Sequence, residues 1–479
     1  MAIHKKKALL ITGGVITLAV LTGILALMLN INAFTPQIEA AMSMALGMEV
    51  RITGSSGLAV FPGFGLTLKN VVLRKNGVDV VKIEKMRMRL KLRSLARSEI
   101  KIIQVRLVRP VFSIVRSKNG MFNVEKPERR LWEQLLAVEK LTILQGNLFY
   151  TNEASGETIE VGELDVNMNN LYFDGTNHAG PFKNSSFTGN VGCKILRITD
   201  LTLTNISMSA AAEKGILDVN PIRMNISGGD GNGSLHVDMT GALPRYRFIC
   251  SLNRVRIEDL VHLYAIEKSP QKTIEGAIDI SADLTAIGKH ADEMKRSLDG
   301  ILALNGQDLM IYDFDIDDLV MKYERSQNFN LLDVGAFLLA GPFGPIVTKS
   351  YNFASLYEAS QGGKGRIRKL VSVWKVENGI AEARDVALAS KEQRIAMRGG
   401  LDFIRERFVD VTIAALDKRG CTVFSENVRG PFNKPTIEKE NILKSIAGSV
   451  LNPLQDAWEF IQGQECTVFY SGSVAQPEG

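Results

Sequence analysis

Residues 84–93 read EKMRMRLKLR. Met86, Met88, Leu90 and Leu92 alternate with Arg87, Arg89, Lys91 and Arg93 at a strict period of two. Successive side chains of a strand point to opposite faces, so this stretch is expected to be a strand with one apolar and one uniformly basic face. Two readings follow. In one the strand is half of an ordinary closed core; in the other its apolar face lines something open. The stretch by itself is compatible with both.

Outward from it, the same period recurs. GLTLKNVVLR, IKIIQVRLVR, VFSIVRS, LTILQGNLFY, the text at 196–206, SLHVDMTG, YRFICSLNRVRI, GAIDISADLTAIG and GILALNGQDLMIY all alternate. Most are separated by Gly, Asn, Asp or Pro turns, which predicts consecutive strands in antiparallel meanders. Helical spacing is rarer: TPQIEAAMSMALG, with Thr35 as the expected cap, Pro36 in the first turn, Gly47 at the exit and Ile38, Met42 and Leu46 on one side; then 128–138, 290–298, 315–326 and 444–462. A soft division is expected near 127–140, where Pro127 and a charged run follow the first strand block.

The chain has 479 residues, 45% hydrophobic and 23% charged, ample for a large core or two domains. Its net charge of +5 is unevenly spread: residues 84–130 hold 14 lysines and arginines against 4 acids. Such a block can face nucleic acid, anionic lipid headgroups or water. Aromatic residues do not interleave with the cations at 84–109, which argues against single-stranded nucleic acid as a partner.

Lys5, Lys6 and Lys7 precede 22 uncharged residues, 8–29. At about 1.5 Å per residue these span roughly 33 Å, enough for a bilayer core. The run is longer than the apolar region of a cleaved signal peptide. The expectation is an uncleaved anchor, with residues 1–7 cytoplasmic and the bulk of the chain outside.

The chemistry-bearing motifs are weak. The five histidines are scattered, and no HExxH, GxxxxGK[ST], GxSxG or strand–turn–helix GxGxxG occurs. SGGDGNGS (227–234) is expected to be a turn rather than a phosphate cradle. Asp313, Asp315, Asp317 and Glu324 match calcium-loop positions, but Asp318 stands where that loop needs Gly. No enzyme, metal or cofactor is expected. Of the four cysteines, Cys421 and Cys466 share the contexts GCTVF and ECTVF. A disulfide between them is favoured over two free thiols if the chain is exported; the state of Cys193 and Cys250 stays open.

The order of these segments resembles the AsmA family of inner-membrane-anchored, periplasmic proteins. The resemblance rests on the anchor, the helix ending at Gly47, ITGSSGLAVFPGFGLTLKNVVLRKNG, and IKIIQVRLVRPVFSIVRSKNGMFN with Pro110, Gly120 and Asn123. It continues through KGILDVNPIRMNISGGDGNGSLHVDMTG, SLDGILALNGQDLMIYDFDIDDLV, VENGIAEARDVALAS, GPFNKP and CTVFYSGSV. What the resemblance implies is a mainly β fold with several helices, in which the anchor is followed by a long, curled, largely antiparallel sheet forming an apolar groove. It implies a chorein-like segment at 36–127, a groove region at 128–479 with a C-terminal helical insertion, and kinship to bridge-like lipid transfer proteins. Met86, Met88, Leu90 and Leu92 would then line a lipid path.

Two functions from different classes are therefore expected. One is carriage of phospholipid along the groove toward outer-membrane assembly. The other is an assembly factor for outer-membrane proteins or lipopolysaccharide that binds client strands at open sheet edges without moving lipid.

Overall fold

Alternation at 84–90 holds in three dimensions, as the second half of a thirteen-residue strand, Val78–Leu90. The computed structural model describes residues 31–59, 64–90, 102–123, 138–172, 185–199, 201–262, 274–312, 315–318, 320, 363–440 and 467–477. The chain divides into two units, Met1–Leu217 and Asp218–Gly479.

The first unit carries helix α1 (Thr35–Leu46), strands β1 (Glu49–Ile52), β2 (Ser56–Ala59), β3 (Phe64–Lys75), β4 (Val78–Leu90), β5 (Ile102–Arg116), β6 (Lys140–Asn152), β7 (Thr158–Tyr172), β8 (Ser186–Ile198) and β9 (Leu201–Glu213). β1 and β2 both pair with β3 along different parts of its length. From β3 to β9 each strand pairs with the next. All these pairs are antiparallel except β5–β6, which is parallel, so the expected pure meander is broken there by a crossover. Asn76 and Gly77, both at positive φ (52° and 78°), make the tight β3–β4 turn. Their conformation matches the right-handed twist of the flanking strands.

The second unit begins within β10 (Ile216–Ile226). It contains β11 (Gly229–Asp238), β12 (Arg245–Arg256), α2 (Ile257–His262), β13 (Ile274–Glu275), β14 (Ala277–Ile287), α3 (Ala291–Arg296), β15 (Asp299–Tyr312), β16 (Lys364–Glu377), β17 (Ile380–Ala389), β18 (Arg394–Asp402), β19 (Arg407–Leu416), β20 (Thr422–Pro431) and β21 (Thr436–Glu440). The pairings from β11 onward are antiparallel. The protein is thus mainly β and largely antiparallel with few helices.

Several expectations shift. IIQVRLVR and VFSIVR do not form two strands but belong, with Pro110 between them, to one fifteen-residue strand, β5 (Ile102–Arg116). SGGDGNGS turns only at Ser227 and Gly228, and Gly229–Ser234 begin β11. Glycine is needed there because a Cβ at Gly229 would lie 2.2 Å from the Asn253 carbonyl. Thr35 does not cap α1: Phe34 occupies that place after a short 3-10 turn, and Thr35 Oγ1 instead lies 3.3 Å from Ser56 Oγ. Gly47 ends the helix in the left-handed conformation, as expected. The helix expected at 290–298 is α3. That at 315–326 is described only at its start, where 316–318 are helical. The anchor at 8–29, the helix expected at 444–462, Leu92 and Cys466 lie outside the described residues, as do the division expected near 127–140 and the helix expected at 128–138 up to residue 137; Val138 is described and is not helical. Among the described residues no helix is long and apolar enough to cross a membrane.

Burial differs sharply along the chain. In β16–β20 both faces of the sheet are closed. Leu370, Leu388, Ile395, Ala415 and Phe424 are buried on one face, and Val371, Ala387, Ala396 and Ala414 on the other. The segment 467–477 packs on the second face through Tyr470 and Val474. The Tyr470 hydroxyl bonds to Asp385, and buried Arg394 donates to the carbonyls of Val474 (3.2 Å) and Asp417 (3.0 Å).

Candidate functional site

In β3–β9 the two faces are unlike. Directly paired residues of neighbouring strands share a face, so the register can be read across seven strands. One row runs Leu68–Met86–Leu107–Ile143–Val166–Val191–Met208. The next runs Leu66–Met88–Val105–Leu141–Met168–Gly189–Ala210. Every member is apolar. On the reverse face, the row between them runs Thr67–Arg87–Arg106–Thr142–Asn167–Asn190–Ser209, and the next row, beyond Leu66, runs Gly65–Arg89–Gln104–Lys140–Asn169–Thr188. At six strand spacings of about 4.8 Å each apolar row is roughly 29 Å long.

The apolar face is closed under α1, is buried again at Val166 and, on β8–β9, at Phe187, Ile206 and Ala212, and is half-open between. Ile38, Met42 and Leu46 of α1 pack onto Leu68, Val71, Ile83 and Met86. Leu68 and Val71 are fully buried there, and Met86 is 8% exposed. Met88 is already half-buried, as are Leu90, Val105, Leu107, Leu141, Ile143, Met168, Val191 and Met208. Met86, one of the four alternating apolar residues of the opening stretch, therefore sits under α1, while Met88 and Leu90 lie where the face opens. Cys193 stands on β8 beside these rows, paired with Ile206, and burial pushes its thiol pKa up.

A crease crosses the same sheet. Asn70, Arg109, Gln145, Glu163 and Asn205 all have positive φ, between 47° and 53°. At these positions the strand advances three residues instead of two between apolar side chains of one face, as from Leu68 to Val71 and from Leu107 to Pro110; β4 makes the same step from Ile83 to Met86 without a positive-φ residue. The backbone groups released are taken up locally. Gln145 N–H donates to Asp165 Oδ1 (2.9 Å) and Glu163 N–H to Asn147 Oδ1 (3.4 Å). Ion pairs Arg109–Glu84 (3.0 Å) and Lys194–Glu163 (2.8 Å) lie along the line on the reverse face. Because neighbouring strands change phase near the same line, with two offsetting register shifts between β6 and β7, the apolar face stays continuous across the crease: Leu73–Val81–Phe112–Leu148–Val161–Leu196–Leu203 extends it. The sequence reading missed this line. Its signal is the apolar–polar–polar–apolar spacing in LKNV and IEKM, which interrupts strict alternation.

The sheet edge at β1 and β2 is blocked. Val50 N–H donates to Ser43 Oγ (2.8 Å) and Ile52 N–H to Glu39 Oε1 (2.5 Å), both from α1. Ser56 N–H donates to Asn32 Oδ1 (2.8 Å). A strand seeking to pair with this edge meets donors already in use and a helix over them.

Elsewhere, Asp317 serves as an anchor for backbone, accepting from Glu392 N–H and Gln393 N–H at 3.2 Å each. Among the described residues no group of three His, Cys, Asp or Glu side chains is arranged to hold a metal. Cys193 and Cys250 are free thiols. Cys421 is buried, bridges to Val468, and is disulfide-bonded; Cys466, its expected partner, lies outside the described residues.

Compared with known proteins, the chain matches the model of the AsmA family twice, over residues 1–191 and 188–364. No curated protein matches it.

Proposed function

The chain belongs to the AsmA family, and from that premise we propose that it carries phospholipid along the apolar face of β3–β9, in the service of outer-membrane assembly. The observation that carries this reading is the pair of in-register apolar rows, seven strands wide, backed by polar rows and left half-open beyond α1. Half-exposed apolar surface on this scale marks a binding face. An acyl chain laid on it would gain about 0.8 kcal/mol per CH₂ buried. In this reading the sheet curls around the chains as a groove. The protein is held by a single span at 8–29 in the inner membrane, with the bulk of the chain in the periplasm and a Cys421–Cys466 disulfide. It acts by binding and passing lipid, with no catalytic step and no cofactor.

The alternative, an assembly factor that takes up client strands at a sheet edge, is disfavoured at β1 and β2 because α1 occupies that edge. The test is mass spectrometry of lipids retained by residues 36–479 released from the anchor. Phospholipid in near-stoichiometric amount is expected. Protein free of lipid, recovered folded from lipid-containing cells, would overturn the reading.

A further inference from the structure

The reverse face of β3–β5 carries a cation cluster that the lipid path does not use. Lys69 stands directly opposite Lys85, and Arg87 directly opposite Arg106, with Arg89 next along β4. Like charges in register destabilise a sheet. Four of the five are exposed, and Lys85 is half-exposed. Among the described residues none of the five has an ion-pair partner. Along and across the crease the same three strands behave otherwise: Arg109 pairs with Glu84 on the line (3.0 Å), and Arg74 and Lys82 both pair with Asp79 beyond it (2.5 and 3.1 Å). Among the described residues, this in-register group of unpaired cations on the reverse face of β3–β5 therefore lies on one side of the crease.

That side is also where the chain enters the sheet. Asn32 and Thr35 meet Ser56, which is in register with Leu68, the neighbour of Lys69. From residue 29, the end of the uncharged run, to Thr35 is six residues, at most about 21 Å when extended. A membrane that holds residues 8–29 thus lies within reach of the cluster.

We propose that Lys69, Lys85, Arg87, Arg89 and Arg106 form a seat for the anionic headgroup surface of the bilayer that anchors the protein. The seat rests on the anchored reading above. It orients the sheet with its basic reverse face on the headgroups, so that the open apolar face does not lie flat on the membrane. Each Lys or Arg near an anionic surface is worth about fivefold in binding. Neutralising two should therefore lower the ratio of seated to unseated protein by about 25-fold.

The full chain, reconstituted in nanodiscs, tests this. A fluorescent amino acid is placed at Thr67, in register with Arg87, and in a second sample at Thr202 on β9. A headgroup-attached spin label acts as quencher. With phosphatidylglycerol in the disc, the probe at 67 should be quenched and that at 202 should not. Quenching at 67 should be lost in phosphatidylcholine discs, in high salt, which shortens the screening length to about 3 Å at 1 M, and in the Arg87→Gln/Arg106→Gln variant. Arg87→Lys/Arg106→Lys should keep it. Equal quenching in neutral and anionic discs, or none in either, would overturn the seat. Capture of an acidic protein rather than lipid by a photo-crosslinker at 67 in cells would overturn it too. The same discs carrying a crosslinker at Val105 report cargo separately. Loss of the seat with lipid adducts retained at 105 rejects this inference alone; the reverse result rejects the cargo reading alone.

Discussion

The sheet of β3–β9 and the sheet of β16–β20 are built from the same antiparallel pairing, yet they treat their faces oppositely. In β16–β20, Leu370 and Leu388 on one face and Ala387 and Ala396 on the other are 0–1% exposed, and the strand text shows it: RIAM and TIAAL lack alternation because neither side meets water. In β3–β9, MRMRL alternates because one side is solvated, and its apolar side is closed under α1 but half-exposed at Met88, Leu90, Val105 and Leu141. The difference teaches that an apolar strand face need not imply a closed interior. What decides is whether the face has a partner along its whole length.

The contrast can be broken most directly by a charge. Leu388→Asp puts a carboxylate where no water reaches and should destabilise the protein by about 4 kcal/mol or more, enough to unfold the second unit. Met168→Asp, on the open rows, should cost less than about 1.5 kcal/mol and leave a folded protein that no longer retains lipid. Urea titrations with lipid analysis of the folded fraction check both. Equal destabilisation at the two sites would mean that the face at Met168 is ordinary core.

The next largest effect separates the thiols. Cys421→Ser should destabilise by up to about 4 kcal/mol, the chain-entropy value for a loop of about 45 residues closed by Cys466. Cys193→Ser, at a half-buried free thiol, should cost about 1 kcal/mol or less. Thermal melts under non-reducing conditions measure the difference. Melts of the two variants that coincide would refute the loop.

A smaller effect concerns the edge. Glu39→Ala leaves the Ile52 N–H without its acceptor and Ser43→Ala does the same at Val50; each should cost about 1–2 kcal/mol. The double variant should also begin to self-associate through the uncovered strand, seen as concentration-dependent sedimentation. A double variant that stays monomeric and fully stable would show that α1 does not guard the edge.

The smallest effect is electrostatic. Hydrogen bonds from Arg74 and then Lys82 hold the Asp79 carboxyl below its ordinary value of 3.8. A depressed pKa contributes stability above the unfolded value and loses it as pH falls through the folded one. The stability difference between the wild type and Asp79→Asn should therefore be constant from pH 8 to 5 and disappear below 3.8. A difference that changes between pH 5 and 8 would point to another group.

Much of the open sheet was legible because local chemistry writes it. EKMRMRLKLR, LTILQGNLFY and the Asn76–Gly77 turn fix strand, face and hairpin with neighbours in sequence. The stripe of Ile38, Met42 and Leu46 was legible too, but not that it would lie over Met86, since that contact joins residues more than forty apart. The crease was hidden because Lys69–Asn70 and Glu84–Lys85 read as polar strand interruptions; only register shows that neighbouring strands step together. Pro110 looked like a strand end for the same reason. The glycines of SGGDGNGS looked like a turn because their role, close approach to the Asn253 and Ile249 carbonyls, belongs to the partner strand. The parallel β5–β6 pair had no local signal at all.

The central claim, that one face of β3–β9 carries lipid and the other does not, is tested most directly by photo-crosslinking along two adjacent rows in cells. Crosslinkers at Met88, Val105, Leu141 and Met168 occupy the apolar row, and those at Arg89, Gln104, Lys140 and Asn169 the polar one. The account predicts phospholipid adducts at all four positions of the first set and at none of the second, with a step of one residue switching the outcome. Adducts distributed equally over both rows, or absent from both in a folded protein, would contradict it.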